Sequence, residues 1–334
     1  MNSTGNEIAY AASMIRAGEL VVFPTETVYG LGADALDHSA VAKVFAAKGR
    51  PADNPLIVHL AGPEDLPLVA EPAGDIAAQL LEAFSPGPLT VVLPVGASLP
   101  RIVTAGLDTV AVRIPSHPVA QQLLRECERP IAAPSANRSG EPSPTTMAMA
   151  RRSLGDLPAA YLDGGRCDVG LESTVVSVGE AITILRPGAV SRSDLEGVIP
   201  HIEIRSAGTD GASPAASPGV RHRHYQPQAA VVLFDDLGAL EAWIARSAAT
   251  IAVICSAQTA REPGLRGHRI CTYSDEREYA RYLYSWFHEL DDAGVQVVAA
   301  QYPPAGGLGD ALRDRLERSS GGRFVEDEQQ DTDG

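Results

Sequence analysis

The sequence predicts an α/β protein with a larger unit built on a mixed sheet and a smaller α/β unit that follows a linker. Strand-like and helix-like segments alternate over residues 1–205, which is typical of helices layered on a sheet. Several strand-like segments follow one another with little chain between them, so we expect parallel and antiparallel neighbours in one sheet. A stretch rich in Ser, Ala, Gly and Pro at 206–219 then precedes a second series of elements.

The elements of the first unit are short apolar strands and helices that end at capping or breaking residues. The helix predicted at 37–48, for example, can be capped by Asp37 or Ser39 and is stopped by Gly49 and Pro51. The other predicted helices span 77–84 and 119–126. The predicted strands span 20–23, 56–60, 89–93, 110–114, 131–133, 174–178 and 182–185.

The second unit is predicted to be a smaller, Rossmann-like α/β domain. Its predicted strands span 230–234, 251–255 and 295–299, and its predicted helices span 237–246, 276–293 and 309–318. The resulting division is a catalytic domain at 1–205, a linker or lid at 206–227, an accessory domain at 228–322 and a tail at 323–334. The end of this tail is acidic and carries no apolar residue after position 325, so we expect the tail to be disordered.

Composition narrows the class of protein. The 334 residues are 45% hydrophobic and 21% charged, with a formal net charge of -15, which is ordinary for a globular protein and argues against broad binding to nucleic acid. Four cysteines without a C-x-x-C pair indicate reduced thiols and a cytoplasmic protein. We expect no signal peptide and no membrane span. The usual phosphate-loop, dinucleotide, zinc and serine-hydrolase motifs are missing.

One of the only two lysines stands in an unusual motif. Lys48-Gly49-Arg50-Pro51 places a compact ammonium beside a planar guanidinium at a helix end, a pattern suited to binding phosphate or carboxylate. Two solvated charges that close a helix are the alternative. Five further loops carry hydroxyls or cations at strand ends, where α/β sheets bind ligands. These loops lie at 24–31, 109–115, 133–140, 170–174 and 184–188.

These motifs together resemble the two-domain threonylcarbamoyl-AMP synthases, whose catalytic part is the YrdC-like domain. KGRP at 48–51, SAN at 135–137 and PGVRHRHY at 218–225 carry the resemblance, which covers residues 8–205 closely and 228–320 more loosely. It implies a YrdC-like twisted mixed sheet with flanking helices. It also implies that L-threonine, bicarbonate and ATP react to threonylcarbamoyl-adenylate and pyrophosphate. A separate tRNA threonylcarbamoyltransferase complex would then use the product, and a direct tRNA contact would be allowed.

The resemblance also implies roles for individual residues, and the chemistry fits them. Negative charge builds up when a carbamate oxygen attacks the α-phosphorus, so cations and positioning should carry the catalysis. Lys48 and Arg50 would be catalytic, and Mg²⁺ would accompany the triphosphate. The residues implied for L-threonine are Thr27, His59, Arg113, Ala133 and Ser173. The residues implied for ATP are Lys48, Arg50, Asn54, Thr109, Ser135, Asn137, Ser143, Arg186 and Tyr225.

Other interpretations remain open at this point. His59 could be a core histidine, Ser143 and Asn137 could cap a helix, and Asn54-Pro55 could be a turn. The whole domain could be a module that binds double-stranded RNA without catalysis, or a carbamoyl-transfer enzyme. The basic segment at 217–227 is predicted to fold over the mouth of the site as a lid, because water would destroy an activated mixed anhydride.

Overall fold

The computed structural model describes residues 4–207 and 225–325. They form two compact units. The first contains residues 4–139 and 143–207, and the second contains residues 140–142 and 225–325. Most of the segment predicted to form a lid, residues 208–224, lies outside the described residues. None of the described helices is both long enough and apolar enough to span a bilayer.

The first unit contains a large mixed sheet with helices packed on it, which confirms the predicted fold class. Its helices are α1 (Gly5–Arg16), α2 (His38–Lys48), α3 (Asp75–Phe84), α4 (Pro118–Cys127), α5 (Met147–Leu154) and α6 (Arg192–Val198). Its strands are β1 (Val21–Phe23), β2 (Gly30–Asp34), β3 (Ile57–His59), β4 (Leu89–Pro94), β5 (Thr109–Arg113), β6 (Ile131–Ala132), β7 (Ala160–Tyr161), β8 (Thr174–Val178), β9 (Ile182–Arg186) and β10 (Ile204–Ser206).

The ten described strands of this unit run in the order β10-β9-β8-β4-β5-β3-β6-β2-β1-β7. Strands β3 and β5 are parallel neighbours, and their register sets His59 opposite Arg113. Strand β6 pairs with β3 and β2 in the antiparallel sense. The mixture follows from short connections, because an antiparallel return needs few residues whereas a parallel return needs a crossover.

Apolar side chains on both faces of the sheet hold these layers together. On one face Ile8 and Ile15 of α1 pack with Leu123 of α4 against Phe23 of β1. A larger cluster, which includes Val44 of α2, forms another part of the core. Burying one such Ile, Leu or Phe side chain contributes roughly 1.5–3 kcal/mol, so the strand ends are held on a rigid support.

Six elements of the first unit were not predicted from the sequence: α1, α5, α6, β2, β7 and β10. Strand β2 has the sequence GLGAD, which lacks β-branched residues. It is nevertheless fully buried between β1 and β6, and a Cβ atom at Gly32 would lie 2.7 Å from Ile131 and 2.8 Å from Phe23. Close packing therefore selects glycine here, against its low strand propensity. Helix α1 begins with a capping box formed by Thr4 and Glu7.

The second unit is a parallel sheet with the order β11-β14-β12-β13. Its strands are β11 (Ala230–Phe234), β12 (Ile251–Ser256), β13 (Arg269–Tyr273) and β14 (Val297–Gln301), and its α-helices are α7 (Leu237–Arg246), α8 (Glu276–Asp292) and α9 (Leu308–Ser320). The predicted tail began too early. Val325 is fully buried, and residues 323–325 pair with β11 through two backbone bonds to Leu233. Residues 326–334 lie outside the described part of the chain.

Candidate active site

The loops singled out in the sequence contribute side chains at strand and helix ends in the first unit. Because β3 and β5 are parallel and in register, His59 and Arg113 lie side by side on one face of the sheet. Thr27 comes from the loop after β1, and it accepts a hydrogen bond from Arg113 Nη1 at 2.8 Å. The sheet thus brings together three of the residues predicted to bind the amino acid.

Arg113 is the centre of a buried group of side chains, which we call the Arg113 cluster (Glu26, Thr27, His59 and Arg113). Its Nη2 lies 2.7 Å from Glu26 Oε1, and its Nε donates to the carbonyl of Gly87 at 3.2 Å. Arg113 is 3% exposed and Glu26 is 6% exposed. A lone arginine in an apolar strand needs an anionic partner when it is buried, and Glu26 is that partner.

The charges in the Arg113 cluster are set by their neighbours. Burial acts to raise the pKa of Glu26, but the charge and hydrogen bonding of Arg113 oppose this, and the pKa is lowered overall, so the carboxylate is ionised. Burial, followed by repulsion from Arg113, lowers the pKa of His59 to about 3. His59 is therefore neutral at physiological pH. Its Nδ1 is buried without a hydrogen-bond partner among the described residues.

The second group, the Lys48 cluster, consists of Lys48, Arg50, Asn54, Ser135 and Asn137. Lys48 is the last residue of α2 and is only 4% exposed. Its Nζ donates to the carbonyl of Ser135 at 2.5 Å and to the carbonyl of Asn137. Gly49 follows in a left-handed conformation, with φ of 59°, which ends the helix and turns the chain toward Arg50. The alternative of a solvated helix-closing lysine is wrong, because Lys48 is buried.

Arg50 is held by the chain that follows it. Its Nε donates to the carbonyl of Asn54 at 3.0 Å, and its Nη2 donates to Asn54 Oδ1 and to the carbonyl of Pro55, both at 2.7 Å. These three hydrogen bonds orient the guanidinium. Asn54-Pro55 is thus a turn that also positions a cation, which reconciles the two interpretations of this motif.

Ser173 and Arg186 form a third contact. Arg186 ends β9, is 5% exposed and donates from Nε and Nη2 to the carbonyl of Ser173, both at 3.1 Å, and from Nη2 to Ser173 Oγ at 3.2 Å. Ser173 Oγ also lies 2.7 Å from Thr90 Oγ1. A residue predicted to bind the amino acid therefore touches a residue predicted to bind the nucleotide.

The remaining predicted residues occupy varied places. Ser143 is buried and donates to Glu172 Oε1 at 2.5 Å; neither it nor Asn137 is an N-cap of a described helix, because Thr146 caps α5. Ala133 donates its N–H to the carbonyl of Ile57 at 2.9 Å. Thr109 begins β5, on the same face as Arg113 but about 13 Å along the strand.

Tyr225 belongs to the second unit and is buried there. Its ring stacks on Tyr284 at 5.5 Å, and the Arg315 guanidinium lies 5.4 Å from its centroid. Its φ of 67° is unusual for a residue with a side chain. The predicted contact between Tyr225 and a nucleotide stays a prediction, as does the lid, because residues 217–224 lie outside the described part.

Sequence analysis missed the two buried glutamates of the site. Glu26 and Glu172 both stand in loops that were singled out, each next to a predicted ligand residue, but neither received a role. The available signal was physical: Arg113 and the other predicted cations would need compensation if buried. What the sequence could not show is which loop carboxylate meets which cation.

Comparisons with known proteins agree with this arrangement. The family model Sua5_yciO_yrdC, described as "Telomere recombination", matches residues 13–188, and the model "Threonylcarbamoyl-AMP synthase, C-terminal domain" matches residues 190–321. The threonylcarbamoyl-AMP synthase of Pyrococcus abyssi is 42% identical over 331 residues, which cover 96% of this chain and 95% of that protein. The synthase of Bacillus subtilis is 38% identical over 333 residues, covering 97% and 96%.

Solved structures give the same result. A crystal structure of Pyrococcus abyssi Sua5 complexed with L-threonine has a TM-score of 0.89 at 40% identity, and each chain covers 97% of the other. A second structure of that protein, which carries two alanine substitutions, has a TM-score of 0.87 at 39% identity, covering 96% of this chain and 94% of that one. The chain belongs to the threonylcarbamoyl-AMP synthase family, in its two-domain form.

Proposed function

We propose that this protein is a nucleotidyltransferase that makes threonylcarbamoyl-AMP and pyrophosphate from L-threonine, bicarbonate and ATP. The observation that carries the proposal is the similarity over nearly the full chain to synthases of this name. The buried cations and hydroxyls at the strand ends support it, because they suit an amino acid and a triphosphate. The product serves the threonylcarbamoyladenosine modification of tRNA next to the anticodon, through a separate transferase complex.

The reaction needs two bond-forming steps. Bicarbonate takes up a proton and loses water to give carbon dioxide, and the ammonium group of threonine loses one proton to become an amine. The amine nitrogen then bonds to the carbon of carbon dioxide, and it loses a second proton as the carbamate forms. A carbamate oxygen then bonds to the α-phosphorus of ATP, and the bond from that phosphorus to pyrophosphate breaks. Both steps gather negative charge, so fixed cations lower the barrier more than a covalent nucleophile would.

The Lys48 cluster and Arg186 are proposed to take the phosphates. The described carbonyl contacts orient Lys48 and Arg50 through neutral oxygens, which suits cations that must meet an anion. Asn54, Ser135, Asn137, Ser143, Thr109 and Tyr225 complete the proposed nucleotide set. The proposed threonine set is Thr27, His59, Arg113, Ala133 and Ser173. In this set Arg113 would bind the carboxylate.

Mg²⁺ is proposed to enter with ATP. Among the described residues no group of three or more His, Cys, Asp or Glu side chains could hold a metal ion. Mg²⁺ keeps several waters and binds through phosphates in many nucleotide sites, so a few protein ligands suffice. When bound, the ion would neutralise charge on the leaving pyrophosphate.

Binding of an RNA duplex fits the site poorly. This alternative needs Arg50, Arg113 and Arg186 to contact phosphates, but Arg113 and Arg186 are at most 5% exposed, so these two cannot reach a rigid helix. Analysis of the products distinguishes a carbamoyl-transfer activity from the proposed one, since carbamoyl transfer would not make the threonine adduct of AMP.

The test is release of pyrophosphate by the purified full-length protein with Mg²⁺, ATP, bicarbonate and L-threonine. We expect release that requires both bicarbonate and L-threonine, together with threonylcarbamoyl-AMP identified by mass. Release that is independent of threonine, or a different adduct, would contradict the proposal.

A further inference from the structure

The Arg113 cluster has a property that binding a carboxylate alone does not explain. Glu26 carries a full negative charge at 6% exposure, 2.7 Å from the arginine that would receive the carboxylate. A site for a simple anion would gain affinity from an uncompensated arginine, whereas a carboxylate at this place opposes a second carboxylate. The cluster is therefore built for a ligand that carries both signs.

The contact between the two charges is close but poorly aligned. Neither oxygen of Glu26 makes a hydrogen bond of good geometry with the described residues, and neither does Nη2 of Arg113, although Arg113 and the backbone N–H groups of Glu26 and Ser116 lie close enough to lower the pKa of the carboxyl. Buried carboxylate oxygens normally have such partners, and leaving them without one costs stability. A ligand with N–H donors would supply them.

Thr27 offers a ligand a hydrogen-bond acceptor. The hydroxyl of Thr25 donates to the carbonyl of Val28 at 2.7 Å, because a carbonyl can only accept. The hydroxyl of Thr27 lies 2.8 Å from that of Thr25, which already accepts from the backbone N–H groups of Thr27 and Val28. One lone pair of Thr27 accepts from Arg113, and the other remains for a ligand donor.

We propose that Glu26 is the residue that receives the ammonium group of the amino-acid substrate, while Arg113 takes its carboxylate. The inference deepens the proposed function and depends on L-threonine being the substrate. The two groups sit on one carbon atom of an amino acid, and the two protein charges are likewise neighbours, so binding exchanges one internal ion pair for two with the ligand. Neutral His59 adds no positive charge that would repel the ammonium.

The obvious alternative is that Glu26 only orients Arg113. The two roles predict different affinities of a Glu26 variant for a ligand without an ammonium group. If Glu26 only orients the arginine, its loss weakens every carboxylate ligand. If it binds the ammonium, its loss weakens L-threonine and spares 3-hydroxybutanoate, which keeps the carboxylate and the hydroxyl but has no amine.

The experiment titrates L-threonine and 3-hydroxybutanoate into the full-length protein and its Glu26→Gln variant by calorimetry. Gln keeps the size of the side chain and removes the charge. A charge-assisted hydrogen bond of about 1.5–3 kcal/mol corresponds to a loss of roughly 10- to 100-fold in threonine affinity. The affinity for 3-hydroxybutanoate should stay equal or rise. Glu203→Gln, which removes an exposed ion pair with Arg205, is the matched control and should leave both affinities unchanged.

Each outcome decides the matter. Equal losses for both ligands, or no loss for either, would overturn the role of Glu26. Failure of the unaltered protein to bind L-threonine would instead refute the proposed function. Should Glu26→Gln not fold, Glu26→Asp retains the charge but withdraws it by one methylene group. This variant should lower threonine affinity several-fold without affecting 3-hydroxybutanoate, and equal losses would again overturn the proposal.

Discussion

The contacts described for the cations differ between the two clusters of the site. In the Arg113 cluster the cation lies against a carboxylate, with Glu26 Oε1 and Arg113 Nη2 2.7 Å apart. In the Lys48 cluster the contacts described for Lys48 and Arg50 run to carbonyl and amide oxygens. The contact in the first cluster pairs opposite charges, and the contacts described in the second orient the two cations.

This difference matches the two proposed ligands. An amino acid is a zwitterion, and a site with one buried charge of each sign is complementary to it. A triphosphate carries only negative charge, and its transfer gathers more, so a group of oriented cations suits it. The division predicts that variants in the two clusters should differ both in stability and in which substrate they affect.

The largest effect is expected from breaking the buried pair. Arg113→Ala leaves Glu26 buried without its counter-charge, which typically costs about 3–5 kcal/mol, and should raise the threonine requirement much more than the ATP requirement. Urea unfolding measures the stability. Steady-state kinetics measure the requirements for L-threonine and for ATP. The double variant Glu26→Ala, Arg113→Ala should recover part of the lost stability. A double variant as unstable as the sum of the two single variants would show that the two charges are not coupled.

Removal of a cation from the Lys48 cluster should instead act on turnover. Arg50→Ala should lower the rate of threonylcarbamoyl-AMP formation on the order of 10²-fold or more, because it deletes a contact that strengthens in the transition state. Lys48→Arg should also be damaging, since a planar fork does not replace a buried ammonium. Lys43→Arg is the matched control: Lys43 lies on the same helix in an exposed pair with Glu19, and its replacement should not change the rate. Near-normal turnover in Arg50→Ala and Lys48→Arg would remove both residues from the reaction.

A smaller effect on stability is expected when the pH is lowered. His59 has its pKa lowered from 6.5 to about 3, mainly by burial, so the fold favours the neutral ring. The free energy of unfolding is therefore not reduced by His59 above pH 6.5. It declines as the pH falls from 6.5 toward 3, by about 1.4 kcal/mol per pH unit for one proton. Between pH 6.5 and 5 the neighbouring Glu26 stays ionised, since its pKa is lowered.

Unfolding free energies at pH 6.5 and 5 test this expectation. The unaltered protein should lose about 2 kcal/mol more over this interval than His59→Asn, which cannot titrate. His117→Asn provides the comparison, because His117 also has a pKa lowered by burial but is only partly buried. Identical pH dependence in the unaltered protein and His59→Asn would mean that His59 is not held neutral by the fold.

How far the sequence predicted the molecule also differs between the clusters. Part of the Lys48 cluster is local, since Lys48, Arg50 and Asn54 lie within seven residues and glycine and proline mark the turn, so this part was visible in the sequence. Its contacts with Ser135 and Asn137 join distant segments. The Arg113 cluster joins residues 26 and 113 across the sheet, and no local pattern pairs them. Strands such as β2 were missed because burial between neighbours, and not propensity, determines them.

The most direct test of the division between the clusters is one kinetic comparison of Arg113→Lys with Arg50→Lys. Both variants keep a positive charge and remove the guanidinium fork. We expect Arg113→Lys to raise the KM for L-threonine about tenfold, the value of one charged hydrogen bond, with little change in the KM for ATP. Arg50→Lys should show the reverse pattern. Equal changes in both constants in both variants would contradict the account, because the two clusters would then act as a single site.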